Sequence, residues 1–238
     1  MAGAVVFVGF MGAGKTSAAR LLDPAALDTD AEIERRAGCS IPELFAQRGE
    51  EGFRALEEQV ALELLASAGP GTPVALGGGT LGSARVRDAL GDHVAAYLEI
   101  DEATAWERAT ADGVTRPLAS DRERFAALLA TRRPVYEAAA DAFLAQGTVA
   151  AAAERLRILP RGIKLIWGPH PVLLGEDAWP ETRPGDFLVT DENVLALHGE
   201  RFGDLARHVI APGEQAKTLA TAEATWTAMA RAGVTRAG

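Results

Sequence analysis

The chain opens with an apolar run and a glycine loop, Val5-Val6-Phe7-Val8-Gly9-Phe10-Met11-Gly12-Ala13-Gly14-Lys15-Thr16-Ser17. The β-branched first part predicts a buried strand, and residues 9–16 satisfy the pattern G-x-x-x-x-G-K-[ST] in full. Such a loop lets consecutive backbone N–H groups converge on phosphate oxygens, and the helix after it adds the positive end of its dipole. The stretch therefore predicts a nucleoside triphosphate site, with Lys15 near the β- and γ-phosphates and Thr16 offering its hydroxyl to Mg²⁺.

Composition limits what else the protein can be. Its 238 residues, 48% of them hydrophobic, suit one and a half to two α/β domains with a sizeable core. The net charge of −9 argues against broad binding to nucleic acid or to anionic membranes. The single cysteine, Cys39, and the lack of a signal peptide or a long apolar span favour a soluble, cytoplasmic protein.

Strand and helix patterns alternate after the glycine loop. We expect strands at 25–27, 73–76, 94–100 and near Phe143, separated by helices, with one helix at 121–133 and a new one beginning at Pro134. This alternation predicts a mostly parallel sheet with helices on both faces. Because ligands of such sheets lie at the carboxyl ends of the strands, the glycine loop, an Asp28-Thr29-Asp30 segment and residues 77–79 should meet at one edge.

Asp28 and Asp30 are expected to share a face of an extended segment, since alternate residues of a strand point the same way. One carboxylate could then hold a water of the Mg²⁺ shell while the other faces an acceptor hydroxyl. The alternative is an ordinary solvated turn or helix cap.

Arginines supply the candidate anion-binding groups. Arg54 lies three and four residues before Glu57 and Glu58 on a predicted helix, so it forms either a surface ion pair or a guanidinium oriented toward a substrate carboxylate. Arg132 or Arg133 could complete a carboxylate clamp with Arg54, or stabilise a helix end. The run at 77–79 is either a flexible turn or a bare backbone that a ligand approaches closely.

A further arginine lies on a loop bounded by Gly and Pro. Arg116 is in this position, and we interpret it as a lid residue that closes over the triphosphate.

Seven motifs together resemble shikimate kinase over residues 4–158: Gly-Phe-Met-Gly-Ala-Gly-Lys-Thr, Asp-Thr-Asp, Gly-Cys-Ser-Ile-Pro-Glu-Leu-Phe, Phe-Arg-x-x-Glu, Gly-Gly-Gly, Thr-Arg-Pro-Leu and Arg-Arg-Pro-x-Tyr. The resemblance implies an α/β fold of the P-loop nucleoside monophosphate kinase type, with three layers around a parallel sheet. It also implies ATP-dependent phosphorylation of the shikimate 3-hydroxyl, in chorismate and aromatic amino acid biosynthesis, by a monomeric kinase domain.

The same resemblance assigns roles to individual residues. Shikimate would be bound by Asp30, Arg54, Gly78 and Arg132, with the two arginines on its carboxylate and Asp30 on the reacting hydroxyl. ATP would be bound by Gly12, Ala13, Gly14, Lys15, Thr16, Ser17 and Arg116. Mg²⁺ would be bound by Thr16 and, through water, by Asp28. The catalytic groups would be Asp30, Lys15 and Arg116.

The sequence departs from the family pattern in three places. The segment from Lys15 to Asp28 is several residues shorter, an extra residue separates Arg108 from Arg116, and the stretch after Phe143 lacks the polar residues that often border adenine. Two alternatives stay open: a P-loop kinase for another small molecule, such as gluconate or a nucleotide, and a non-catalytic ATP-binding regulatory module.

The remaining residues, 159–238, form a second predicted domain after a hinge at 159–162. They resemble the beginning of 3-dehydroquinate synthase, a partial α/β dinucleotide-binding segment. This resemblance implies NAD neighbours at Asp191, Asn193, Glu214 and Lys217. The chain ends before that family's next cofactor loop and its metal ligands, so we expect neither a bound divalent metal nor synthase activity.

Overall fold

A computed structural model describes residues 3–111, 121–159, 163–167, 172–174, 182 and 185–234. The chain forms two compact units, which divide between Ala178 and Trp179. The strands are β1 (Val5–Val8), β2 (Leu27–Asp28), β3 (Pro73–Ala75), β4 (Val94–Leu98), β5 (Ala142–Leu144), β6 (Lys164–Trp167), β7 (Val172–Leu174), β8 (Phe187–Asp191) and β9 (Ala206–Ile210). The α-helices are α1 (Lys15–Leu22), α2 (Thr29–Ala37), α3 (Ile41–Ser67), α4 (Ala84–Leu90), α5 (Glu102–Ala111), α6 (Arg122–Ala139), α7 (Val149–Ile158), α8 (Glu192–His198) and α9 (Leu219–Arg231).

The first unit is built on a seven-stranded sheet in the order β2-β3-β1-β4-β5-β6-β7. Every pair from β2 to β6 is parallel, and only β7 runs antiparallel to its neighbour. Strand β1 lies inside the sheet with all four residues buried, as a continuous β-branched run requires. The parallel sheet and its helices confirm the predicted P-loop kinase fold class.

Local sequence signals fix the helices that border the site. Ser40 and Glu43 form a capping box at the start of α3, with Pro42 in the first turn. Gly49 then interrupts α3 with φ 69° and ψ −178°, a backbone conformation that glycine adopts without strain. Helices α2 and α3 share a small core of their own, separate from the main core around the sheet, made of Ile33, Leu44, Phe53 and Val60.

Helix α6 runs unbroken through Pro134, so the prediction of a new helix beginning there was wrong. An internal proline costs a helix about 3 kcal/mol, because it removes one backbone hydrogen bond and its ring crowds the preceding turn. Here the side chains of Arg132 and Tyr136, on either side of the proline, both donate hydrogen bonds to the carbonyl of Gly78. Such tertiary contacts hold the helix together, and sequence alone does not show them.

Strands β6 and β7 extend the sheet beyond the boundary that the sequence predicted after residue 158. Strand β6 pairs with β5, and the Leu165 amide donates to the carbonyl of Asp141 at 2.7 Å. Leu159, Ile163 and Leu165 are each at most 4% exposed and belong to the main core. The first compact unit therefore includes residues on the far side of the predicted hinge; residues 160–162 of that hinge lie outside the described part of the chain.

The second unit is a parallel pair, β8 and β9, with α8 and α9. Among its described residues only Thr190 and Ala216 are buried, while Leu197, Leu219 and Trp226 are 66–87% exposed. The unit therefore has little core of its own.

Candidate active site

The phosphate loop, residues 9–16, joins β1 to α1 and has the backbone that its glycines predict. Gly14 adopts φ 83° at the cap of α1, and Gly9 adopts φ 142° where a side chain would stand 2.9 Å from the Leu98 carbonyl oxygen. Helix α1 has no side-chain cap and no acidic residue in its first turn. Its first N–H groups and the positive end of its dipole therefore suit an anion, and Lys15 places its Nζ 3.0 Å from the Phe10 carbonyl within the same loop.

The hydroxyl of Thr16 donates to Asp28 Oδ2 at 2.6 Å, which brings the two predicted Mg²⁺ residues together. Hydroxyl and carboxylate oxygens are the donors that Mg²⁺ takes from proteins, so the pair fits this ion. Asp28 is also the N-cap of α2, accepting from the Ala31 amide at 3.0 Å.

Because α2 begins at Thr29, the prediction that Asp28 and Asp30 share a face of an extended segment was wrong. Asp28 is the extended last residue of β2, whereas Asp30 is already in the first turn of α2, so the alternation of a strand does not relate their side chains. Asp28 therefore faces Thr16, whereas Asp30 lines a neighbouring cavity.

This acceptor cavity, of about 440 Å³, brings together all four residues predicted to bind the acceptor. Its lining includes Asp30, Arg54, Gly78 and Arg132, and it reaches the phosphate loop at Met11. The stacked rings of Phe45 and Phe53, 4.4 Å apart, form an apolar wall. A small molecule in the cavity would meet two guanidinium groups, a carboxylate and an aromatic wall beside the triphosphate loop.

A buried carboxylate orients the first guanidinium. Glu57 is 3% exposed, and it accepts from Arg54 Nη1 at 2.5 Å and from Thr80 Oγ1 at 2.9 Å. Glu50 lies 3.6 Å from the Nε of the same arginine. The ion pair that the sequence left open as a surface contact is thus largely buried and borders the cavity.

The glycines at 77–79 are packed against functional side chains rather than forming a free turn. A methyl group on Gly77 would stand 2.7 Å from Glu57 Oε1 and 2.8 Å from Asp30 Oδ1, and the Arg54 guanidinium occupies the space that a side chain on Gly79 would need. Thr29, which is fully buried, accepts from the Gly77 amide at 2.7 Å. The missing side chains are what allow these charged groups to converge.

A second pocket of about 340 Å³ lies on the other side of the phosphate loop, lined by Gly14, Ser17 and Leu21 among others. Arg108 and Gln146 line it too, and Arg108 Nη1 donates to Gln146 Oε1 at 2.8 Å and to the Gly12 carbonyl at 3.1 Å. Sequence reasoning missed Gln146. The available signal was its position as a polar residue between a buried strand and the start of α7.

Arg116 lies outside the described residues. Arg133 is exposed and faces the Tyr97 hydroxyl rather than the cavity, so of the adjacent arginines it is Arg132 that lines the acceptor cavity.

In the second unit, the predicted NAD neighbours make local contacts. Asp191 caps α8 by accepting from the Val194 amide at 2.9 Å, and Lys217 pairs with Glu214 at 2.6 Å on the surface. Asn193 lies in the first turn of α8.

Comparison with known families tests the kinase resemblance directly. The family model for shikimate kinase matches residues 11–159. The chain belongs to the shikimate kinase family. Family members are ATP-dependent kinases that phosphorylate an alcohol group, and this chain is such an enzyme.

Individual relatives agree with this assignment. Shikimate kinase of Thermobifida fusca is 46% identical over 141 residues, which are 57% of this chain and 80% of that protein. Shikimate kinase of Mycobacterium avium is 44% identical over 147 residues, 59% of this chain and 82% of that protein. The structure of Acinetobacter baumannii shikimate kinase in complex with shikimate has 32% identity and a TM-score of 0.59, covering 65% of this chain and 90% of that one. Residues after 159 lie outside the family match.

Within the described residues, no helix is both long and apolar enough to cross a membrane.

Proposed function

We propose that this shikimate kinase family member transfers the γ-phosphoryl group of ATP to the 3-hydroxyl of shikimate. The observation that carries the proposal is the single cavity that holds Asp30, Arg54, Gly78 and Arg132 and reaches the phosphate loop at Met11. Shikimate has one carboxylate and several hydroxyls on a small ring. A pair of guanidinium groups at one wall and a carboxylate at another match that distribution of charge and hydroxyls.

In this proposal Arg54 and Arg132 bind the acceptor carboxylate. A planar guanidinium can bind a carboxylate with two parallel hydrogen bonds, which fixes the ring as well as holding it. Asp30 accepts a hydrogen bond from the reacting hydroxyl, orients it toward the phosphoryl group and takes its proton. Most of the rate enhancement comes from such positioning, because phosphoryl transfer has a loose transition state.

ATP binds at the phosphate loop through residues 12–17, with Lys15 and Arg116 neutralising the charge that develops on the phosphoryl oxygens. Thr16 and, through a water, Asp28 would hold Mg²⁺, which would supply further positive charge beside the phosphates. On binding ATP, Lys15 exchanges its contact with the Phe10 carbonyl for phosphate oxygens.

An ADP-release assay with shikimate, gluconate and no acceptor tests the proposal. We expect turnover with shikimate alone, because gluconate lacks a ring to stack between the aromatic wall and the arginines. Turnover with gluconate would indicate another small-molecule kinase. Equal release with and without any acceptor, or no release, would favour the non-catalytic ATP-binding module.

We propose further that residues 159–238 carry a segment similar to the beginning of 3-dehydroquinate synthase, without synthase activity, and that the kinase part is monomeric. The parallel β8–β9 pair with its two helices supports an α/β segment. The Asp191 cap and the Lys217–Glu214 pair engage groups that NAD would need. Titration of the full chain with NAD, followed by calorimetry, should give no binding at millimolar NAD; saturable binding would contradict this.

Light scattering on the full chain measures its oligomeric state, and a dimer mass would contradict the monomer proposal.

A further inference from the structure

The carbonyl oxygen of Gly78 accepts hydrogen bonds from two side chains of helix α6. Arg132 Nη1 donates to it at 3.2 Å and the Tyr136 hydroxyl at 2.5 Å. The two donors are four residues apart, so they lie one above the other on the same face of the helix. Arg132 lines the acceptor cavity, whereas Tyr136 does not; with Gly78 and Arg132 it lines an adjacent cavity of about 390 Å³.

Burial and a ring contact fix the position of the Tyr136 side chain. It is 2% exposed, and its ring stacks on the ring of Tyr97 with centroids 5.6 Å apart. Burial raises the pKa of Tyr136 to about 12, with the nearby Arg132 charge opposing part of that rise. The phenol therefore stays protonated, and remains a hydrogen-bond donor, across the pH range in which proteins are usually assayed.

Gly78 connects the phosphate loop with the arginines of the acceptor cavity. Its α-carbon packs on the phosphate loop so closely that an added methyl group would stand 3.3 Å from the Met11 amide nitrogen. Its neighbour Gly79 packs against the Arg54 guanidinium. A shift of the Gly78 peptide would therefore change the spacing between the phosphate loop, Arg54 and Arg132 together.

We propose that Tyr136 is a positioning residue for phosphoryl transfer, whose hydroxyl fixes the Gly78 carbonyl and through it the acceptor cavity. Tyr136 does not touch the acceptor in this account. Its hydroxyl donates a hydrogen bond to the Gly78 carbonyl and so holds residues 77–79 against the phosphate loop. The same carbonyl oxygen also accepts from Arg132 and orients that side chain. The inference rests on the proposed function, because the cavity it positions is the proposed shikimate site.

The test is Tyr136→Phe in the full chain, which keeps the ring and removes the hydroxyl. Tyr97→Phe is the matched control, because it removes the hydroxyl of the buried ring stacked on Tyr136 but outside the cavity. Loss of one neutral hydrogen bond predicts an about three- to tenfold rise in KM for shikimate in Tyr136→Phe. KM for ATP should stay within about twofold, and the control should change neither KM.

Several results would overturn the inference. They are an unchanged KM for shikimate in Tyr136→Phe, an equal rise in the Tyr97→Phe control, or a lower melting temperature with unchanged kinetics. A double variant, Tyr136→Phe with Arg132→Lys, adds a second measurement. If both side chains act through the Gly78 carbonyl, their effects on KM are not additive, and additive effects would contradict the shared route. Absence of shikimate-dependent turnover in the unmodified chain would instead remove the proposed function, and this inference with it.

Discussion

Substitution of the buried carboxylate of Glu57 tests whether its ion pair with Arg54 stabilises the acceptor cavity. Glu57→Gln keeps the size of the side chain and its ability to accept from Thr80, but it removes the charge that Arg54 faces at 2.5 Å. A hydrogen bond to a charged group contributes about 1.5–3 kcal/mol. Because the Arg54 side chain is still 29% exposed, solvent screens part of the interaction, and we expect a loss of about 2 kcal/mol in the free energy of unfolding.

That loss converts to a drop in melting temperature of about 4–8 °C for a unit of this size. Kinetics should change too, because Glu57 restricts the Arg54 side chain to the cavity. Ordering a long side chain again on binding costs about 0.5–1.5 kcal/mol, so KM for the acceptor should rise about two- to tenfold while KM for ATP is unchanged. Thermal unfolding and steady-state ADP release measure the two effects.

Glu58→Gln is the matched control for Glu57→Gln. Glu58 is the next residue of the same helix, and it pairs on the surface with Ser83 and with Arg85, whose side chain is 74% exposed. Surface ion pairs contribute about 0–1 kcal/mol, so this variant should lose less stability and keep its KM. Equal losses in the two variants would refute the role given to the buried ion pair.

Three more predictions concern other parts of the first unit. Gly78→Ala should lower kcat/KM about tenfold and the free energy of unfolding by about 1–3 kcal/mol, because the new methyl group crowds the phosphate loop. Unchanged kinetics would contradict this, since they would mean that the loop moves aside without affecting the site. Leu165→Asp should destabilise the kinase unit by at least about 2 kcal/mol in thermal unfolding, whereas Ile166→Thr, at a residue that is 44% exposed, should not; equal effects would mean that β6 is not part of the kinase core. Hydrogen bonds from two arginines lower the pKa of Glu32 from 4.5 to about 2. Glu32 therefore stabilises the fold above pH 4.5, and this contribution is lost as the pH falls toward 2. The difference in melting temperature between the unmodified chain and Glu32→Gln should therefore shrink over that range, and a difference independent of pH would contradict this assignment.

Local signals in the sequence account for the phosphate loop and for the capping box of α3. Residues 9–16 carry their geometry in the spacing of their glycines, and Ser40 with Glu43 satisfies its own backbone groups within four residues. Parallel topology also predicted that the glycine loop, Asp30 and Gly78 meet at one edge of the sheet, because it brings strand ends together. The places of Arg54 and Arg132 in the same set were implied by the family resemblance, and both residues line the cavity.

Other features depended on contacts between distant residues. Asp30 was expected to continue the extended segment that contains Asp28, but helix α2 begins at Thr29, with the Asp28 carboxylate as its cap. Pro134 was expected to start a helix, but contacts with Gly78 keep α6 continuous. The place of β6 in the kinase sheet depends on pairing with a strand that lies some twenty residues earlier in the chain. No short sequence pattern encodes such pairing.

The central claim is that Asp30 activates an acceptor bound beside the phosphate loop, and the most direct measurement is the turnover of Asp30→Asn with shikimate and saturating ATP. Glu34→Gln is its control, because Glu34 lies one turn further along α2 and lines the same cavity while accepting from the Ile41 amide at 3.0 Å. We predict that kcat falls at least about 100-fold in Asp30→Asn, with ATP binding retained, and stays near that of the unmodified chain in Glu34→Gln. Full turnover in Asp30→Asn would contradict the account.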